Sequence, residues 1–258
     1  MKTNKHYEAG KFQWAFLLPK YWGIWIAISL LMIGAILPWS IQHRVANCLA
    51  KFAWKYLHSR RKTTLKNLMI CFPEKDAESL YKDDQEVFFN TMLGVFEALN
   101  AWYCPKWYEN RIHIHGIEHI NSAKGHGILL LGSHTTLLDA GGFISSRFFD
   151  LDVVYRPQNN PLLDMMITRC RASSYKHQIS KDDMKGLISS LKAGRAIWYS
   201  PDQDFGLKQG VMAPFFGVQA ATLTAHRRLI KIANAVAIPL FFYRTGDIKN
   251  PQYHILLE

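Results

Sequence analysis

A chain of 258 residues, 49% hydrophobic and 20% charged, can bury a full core, which argues against disorder and suits one α/β domain with appendages. Its formal net charge of +11 favours anionic partners: nucleic acid, anionic lipid, a phosphorylated substrate or an acidic protein. No nucleic-acid motif accompanies the 13% aromatic content, and the aromatics gather near the amino end beside an apolar run, so a membrane interface is expected and nucleic acid is not.

Residues 1–20 are polar and basic with few periodic signals. From 21 to 39 there are nineteen residues without a charge, bracketed by Tyr21, Trp22, Trp25 and Trp39. That length just crosses the hydrocarbon core, and the flanking rings match an interfacial belt. The segment lies too far from the start, and is too poorly followed by small residues, for a cleaved signal peptide. An uncleaved membrane-anchor helix is expected, with a hydrophobic helix docked on the soluble domain as the alternative. This divides the chain into 1–40, a basic segment and anchor, and 41–258, an α/β domain.

Residues 40–66 carry Arg44, Lys51, Lys55, Arg60, Arg61, Lys62 and Lys66 and no acid. Within them Ile41, Val45, Cys48, Phe52 and Tyr56 recur at helical spacing, with Arg44, Lys51 and Lys55 on another face. This is the pattern of a basic helix on an anionic leaflet, or of a solvated surface helix. The positive-inside rule puts this side in the cytoplasm, a vote weakened by lysines before the anchor. Residues 86–103 are apolar nearly all round and should be buried or face lipid, with Glu97 the one charge in the middle. A buried carboxylate needs a partner, structural or in the site. Cys48, Cys71, Cys104 and Cys170 stand at wide, irregular spacings with no CxxC, which suits a reducing compartment.

After Pro105 an alternating βα pattern sets in, implying a central, mostly parallel sheet flanked by helices. Strands are expected at 112–115, 128–131, 152–155, 196–199 and 236–243. Helices are expected to open at Asn160-Pro161, after a near capping box at Ser180-Lys181-Asp182-Asp183, and at Thr222. The chain stops in strand-like sequence at Leu256-Leu257-Glu258, so a helical tail is expected beyond it.

The strand at 128–131 ends at Gly132 and delivers Ser133 and His134 to the carboxyl edge, where open α/β sheets place ligands. Thr135 or Thr136 is positioned to cap the helix that follows. Asp139 lies five residues beyond His134, about one and a half helical turns, within reach of folding back onto the imidazole. A histidine can take the proton of an acceptor hydroxyl, and a carboxylate on the far nitrogen fixes its tautomer. A capping aspartate beside a satisfied histidine is the plain alternative. Two more polar clusters fall at strand ends: Arg156 with Asn159 and Asn160, and Asp202 with Asp204. Arg156 suits a phosphate or an oxyanion, and Arg169 and Arg171 extend a positive wall. Asp202 and Asp204 suit a sugar hydroxyl or an arginine, or serve only as turn formers. Ser133 lacks the flanks of a nucleophile elbow, and the His113 to His119 run lacks the helical H-E-x-x-H spacing, so no metal is expected.

Arg60-Arg61, Asn67-Leu68, Cys71-Phe72-Pro73-Glu74, the His134-x4-Asp139 pair, Tyr155-Arg156-Pro157 with Asn160-Pro161-Leu162, Pro201-Asp202-Gln203-Asp204 and Ala213-Pro214-Phe215-Phe216-Gly217 resemble, in order, the bacterial lipid A late acyltransferases. The His-x4-Asp pair is shared with glycerolipid acyltransferases; the Cys-Phe-Pro-Glu and Asp-Gln-Asp blocks make the narrower likeness specific. The resemblance implies a glycerolipid-acyltransferase-like fold on the cytoplasmic face of a Gram-negative inner membrane. It implies transfer of a lauroyl or myristoyl chain from acyl carrier protein to a hydroxyl of a hydroxyacyl chain on a lipid A precursor, with no cofactor. His134 and Asp139 would be catalytic, and Arg156, Asn160, Arg169, Arg171, Asp202, Asp204 and Glu97 would contact substrate. Family members usually run some tens of residues further, so the resemblance also implies a shortened chain. A non-catalytic membrane-surface adaptor for anionic lipid or acidic protein, and an acyl-thioesterase, are the competing functions.

Overall fold

The computed structural model describes residues 10–204, 206, 210–247 and 249–258. Four helices come first: α1 (Trp22–Ile36), α2 (Trp39–Tyr56), α3 (His58–Cys71) and α4 (Ala77–Tyr103). The remainder alternates as β1 (Ile112–His115), α5 (Ile117–Ser122), β2 (Ile128–Leu131), α6 (Leu138–Ser145), β3 (Leu151–Tyr155), α7 (Pro161–Arg171), β4 (Gln178–Ser180), α8 (Met184–Lys192) and β5 (Ala196–Tyr199). It continues with β6 (Gly210–Phe215), β7 (Val218–Leu223), α9 (Ala225–Ala233), β8 (Val236–Thr245) and β9 (Gln252–Leu257).

Seven strands form one sheet in the order β1-β9-β8-β2-β5-β3-β4. Every neighbouring pair is parallel except β8–β9. The central strands are apolar on both sides because helices cover both faces. Leu130, Trp198 and Ile238 pack with Ala140 and Phe143 of α6 on one face. Leu129 and Ile197 pack with Leu187 of α8 and Leu229 of α9 on the other. The carboxyl end of β2 therefore opens mid-sheet.

α7 opens at Pro161 as expected, and Asn160 caps it, accepting from the Leu162 and Leu163 N–H groups at 3.0 and 3.3 Å. Asp183 alone caps α8, its side chain accepting from Gly186 N–H at 2.9 Å. Thr222 does not start a helix: it lies in β7, as suits a β-branched residue, and α9 begins at Ala225.

The four leading helices are built around α4. α2 lays Gln42, Ala46, Ala50 and Ala53 inward, a small-residue face that admits close approach to α4. The turn into α2 is held by Gln42, whose Nε2 donates to Ala35 O (3.0 Å) and Leu37 O (2.9 Å), while its Oε1 accepts from Asn100 Nδ2 (2.9 Å). The larger apolar row is left outside, with Phe52 63% and Tyr56 54% exposed. The 40–66 segment is thus two helices broken at Leu57, with the membrane-type row facing outward. Pro19–Ile36 is long and apolar enough to cross a membrane, the one such segment among the described residues.

Candidate active site

β2 lies between β5 and β8, so the chain leaving it emerges at the middle of the sheet's carboxyl edge. Gly132 follows, its N–H donating to Tyr199 O at 3.1 Å. α4 passes so close beneath the next turn that a Cβ on Gly94 would stand 2.4 Å from the Thr136 carbonyl oxygen. Glycine there lets a rigid helix support the loop directly.

On this loop the backbone N–H of His134 donates to Asp202 Oδ2 at 2.7 Å, and His134 Nδ1 lies 2.6 Å from Asp202 Oδ1. One carboxylate holds both main chain and ring. Asp202 follows β5, the parallel neighbour of β2, whose register sets Leu131 beside Tyr199 and so brings both strand ends together. An ionised carboxylate only accepts, so a neutral ring facing it would carry its proton on Nδ1 and leave the Nε2 lone pair free. The two side chains are 41% and 34% exposed, open to a substrate.

Asp139 is not the carboxylate on the imidazole, against the expectation from spacing. α6 starts at Leu138, which puts Asp139 in its first turn facing α7, where Oδ1 accepts from Arg171 Nε (2.7 Å) and Nη2 (2.6 Å). Nor does a threonine side chain cap α6: its N-cap position is Leu137, without a side-chain bond.

Beside the loop lies a cavity of about 440 Å³, within the usual size of small-molecule sites. Ile28 and Leu31 of α1, Val95 and Ala98 of α4, and Leu163 and Met166 of α7 give it apolar walls. Thr135, Thr136 and Asp139 complete it, so the cavity reaches the residues flanking His134. Cys170 also faces it, but burial pushes its thiol up, which keeps the thiol protonated and a poor nucleophile.

The other expected contact residues fall elsewhere. Arg156 is exposed at the end of β3, separated from β2 by β5. Arg169 Nε donates to Gly10 O at 2.8 Å, tying down the incoming chain. Asn160 is occupied as a helix cap, and Asp204 Oδ1 accepts from Gly206 N–H at 2.6 Å within its own turn.

Glu97 is fully buried and does not face the cavity. Its Oε1 accepts from Arg244 Nη1 (2.5 Å) of β8 and from Tyr253 Oη (2.8 Å) of β9, bolting α4 to the sheet. The substrate-contact expectation for Glu97 is therefore corrected to a structural one. Burial pushes its carboxyl up, and Arg244 opposes that rise. Glu97→Ala should cost about 3 kcal/mol, because it strands a half-buried cation and a buried phenol. Denaturant unfolding in detergent checks this; a change within experimental scatter would remove the bolt.

His113 and His115 do share a strand face, but there they stack with His254, at ring-centroid distances of 4.8 and 5.5 Å. Sequence spacing points to Asp139 and gives no sign of Asp202, which reaches the imidazole only because β2 and β5 are parallel neighbours. Arg244 and Tyr253 left no signal beyond lying in apolar strands.

These features define an α/β protein that sets a carboxylate-held imidazole at the rim of an apolar cavity roofed by a membrane-type helix. Residues 9–256 match the family model for bacterial lipid A biosynthesis acyltransferase, and the chain belongs to that family. It is 35% identical over 258 residues to the lipid A biosynthesis lauroyltransferase of Escherichia coli (strain K12), covering 95% of this chain and 82% of that protein. It is 30% identical over 256 residues to the palmitoleoyltransferase of the same strain, covering 96% and 82%. With that strain's myristoyltransferase it shares 28% over 246 residues, covering 93% and 76%.

Proposed function

We propose that the protein moves a fatty acyl chain from acyl carrier protein to a hydroxyl of a hydroxyacyl chain on a lipid A precursor. The observation that carries this is the His134–Asp202 pair beside an apolar cavity, in a chain of that family. Asp202 keeps the proton on Nδ1, so Nε2 takes the proton of the acceptor hydroxyl. The oxygen attacks the thioester carbonyl, a carbon–oxygen bond forms and the carbon–sulfur bond breaks. The imidazolium then gives its proton to the departing thiolate. No covalent enzyme intermediate is needed.

A backbone amide at the start of α6 steadies the oxyanion. Asp139, paired with Arg171, holds the cavity wall beside the base. The walls from α1, α4 and α7 take the acyl chain. Both substrates are anionic, which the net charge of +11 suits.

Residues 1–40 serve as the membrane-seated segment and 41–258 as the catalytic domain, at the inner membrane. The seven Lys and Arg of residues 40–66 favour the cytoplasmic side. The test is the purified chain incubated with acyl carrier protein thioesters of several lengths and a lipid A precursor, with products read by mass spectrometry. An added acyl group on the precursor supports the proposal. Membrane binding without transfer would leave an adaptor instead. The exposure of His134 also favours a slow side reaction in which water replaces the hydroxyl, read as fatty acid released without acceptor.

A further inference from the structure

β6 and β7 stand apart from the main sheet as a two-stranded antiparallel hairpin. Two strands alone are marginal in water and need a surface to rest on. Residues 210–224 contain no charged side chain. Val211, Met212, Phe215, Phe216 and Val218 are between 45% and 59% exposed. At the turn Phe216 has φ 48° and Gly217 φ 77°. Tight hairpins favour positive φ at these positions, but with Asn, Asp or Gly; a bulky ring there is an outlier. An aromatic is thus held at the tip against its backbone preference, which points to a use for the ring.

What the tip touches narrows the partner. Phe216 meets Phe72, just past α3, with ring centroids 5.4 Å apart. α3 carries Arg60, Arg61, Lys62 and Lys66 and no acid, and near its end Met69 and Ile70 are 59% and 41% exposed. Exposed rings and aliphatic chains beside a row of cations suit the boundary between headgroups and acyl chains of an anionic leaflet. The exposed row of Ile41, Leu49, Phe52 and Tyr56 on α2 lies in the chain between this region and the candidate span at Pro19–Ile36.

We propose that the β6–β7 hairpin is a membrane-inserting finger, its Phe215–Phe216 tip entering an anionic bilayer as a second contact besides α1. The inference rests on the chain working at a membrane and not on acyl transfer.

The full chain, with Cys48, Cys71, Cys104 and Cys170 changed to serine, is given one cysteine carrying an environment-sensitive dye. Separate proteins carry it as Phe215→Cys, Val218→Cys and, on the exposed face of α8, Lys185→Cys. Each is reconstituted into vesicles of phosphatidylglycerol and phosphatidylethanolamine containing doxyl-labelled lipid. Loss of most of the emission at positions 215 and 218, with none at 185, is the expected result. Quenching at 215 and 218 no greater than at 185 would overturn it. So would a blue shift at 215 that follows protein concentration without vesicles, since a second copy would then cover the tip. No enzymatic activity is read, so a failed acyl-transfer assay leaves this test intact.

Discussion

Alanine in place of His134 is expected to abolish acyl transfer while the protein still folds and binds membrane. General-base catalysis is worth about 10²- to 10⁴-fold, and no other imidazole lies on the loop to replace it. The His134 side chain is 41% exposed and packs no core, so its removal should barely move the melting temperature. Wild type and variant, matched for vesicle binding, are compared by the rate at which the precursor gains an acyl group. Full activity in the variant would end the assignment of His134 as base.

The second large effect separates two carboxylates. Asp202→Asn should lower the rate by about 10²- to 10⁴-fold, because an amide facing Nδ1 no longer enforces the tautomer that leaves Nε2 basic. Asp139→Asn should cost far less, about tenfold, since the asparagine oxygen still accepts from Arg171. Measured side by side, the two variants rank the carboxylates. A nearly dead Asp139→Asn beside a healthy Asp202→Asn would return the orienting role to Asp139, where sequence spacing had put it.

That reversal shows which parts of the protein were legible in its sequence. β2 and β5 were readable to the residue, because short apolar runs closed by Gly or polar clusters belong to strands covered on both sides, and β1 by the alternation of an edge strand. His134 was readable for the same reason: it follows such a run. Its partner was not, because Asp202 is 68 positions away and meets it only through strand adjacency. A short sequence interval favoured Asp139, yet the helix start at Leu138 turns that side chain toward Arg171. The β6–β7 hairpin was missed because its turn is Phe-Gly, where Asn-Gly would have announced it. For Glu97 the need for a partner was evident, but which strand would supply Arg244 was a matter of tertiary packing.

α1, long and apolar enough together with Pro19–Tyr21 to cross a membrane, also walls the cavity. Ile28, Leu31 and Met32 form one side of the chamber beside the His134 loop, and Phe96 of α4 lies 3.1 Å from where a Cβ on Gly34 would be. A version trimmed of this helix would be breached along that side, opening the chamber to solvent. The span-length segment and one wall of the chamber are thus a single element, so neither can be altered without the other.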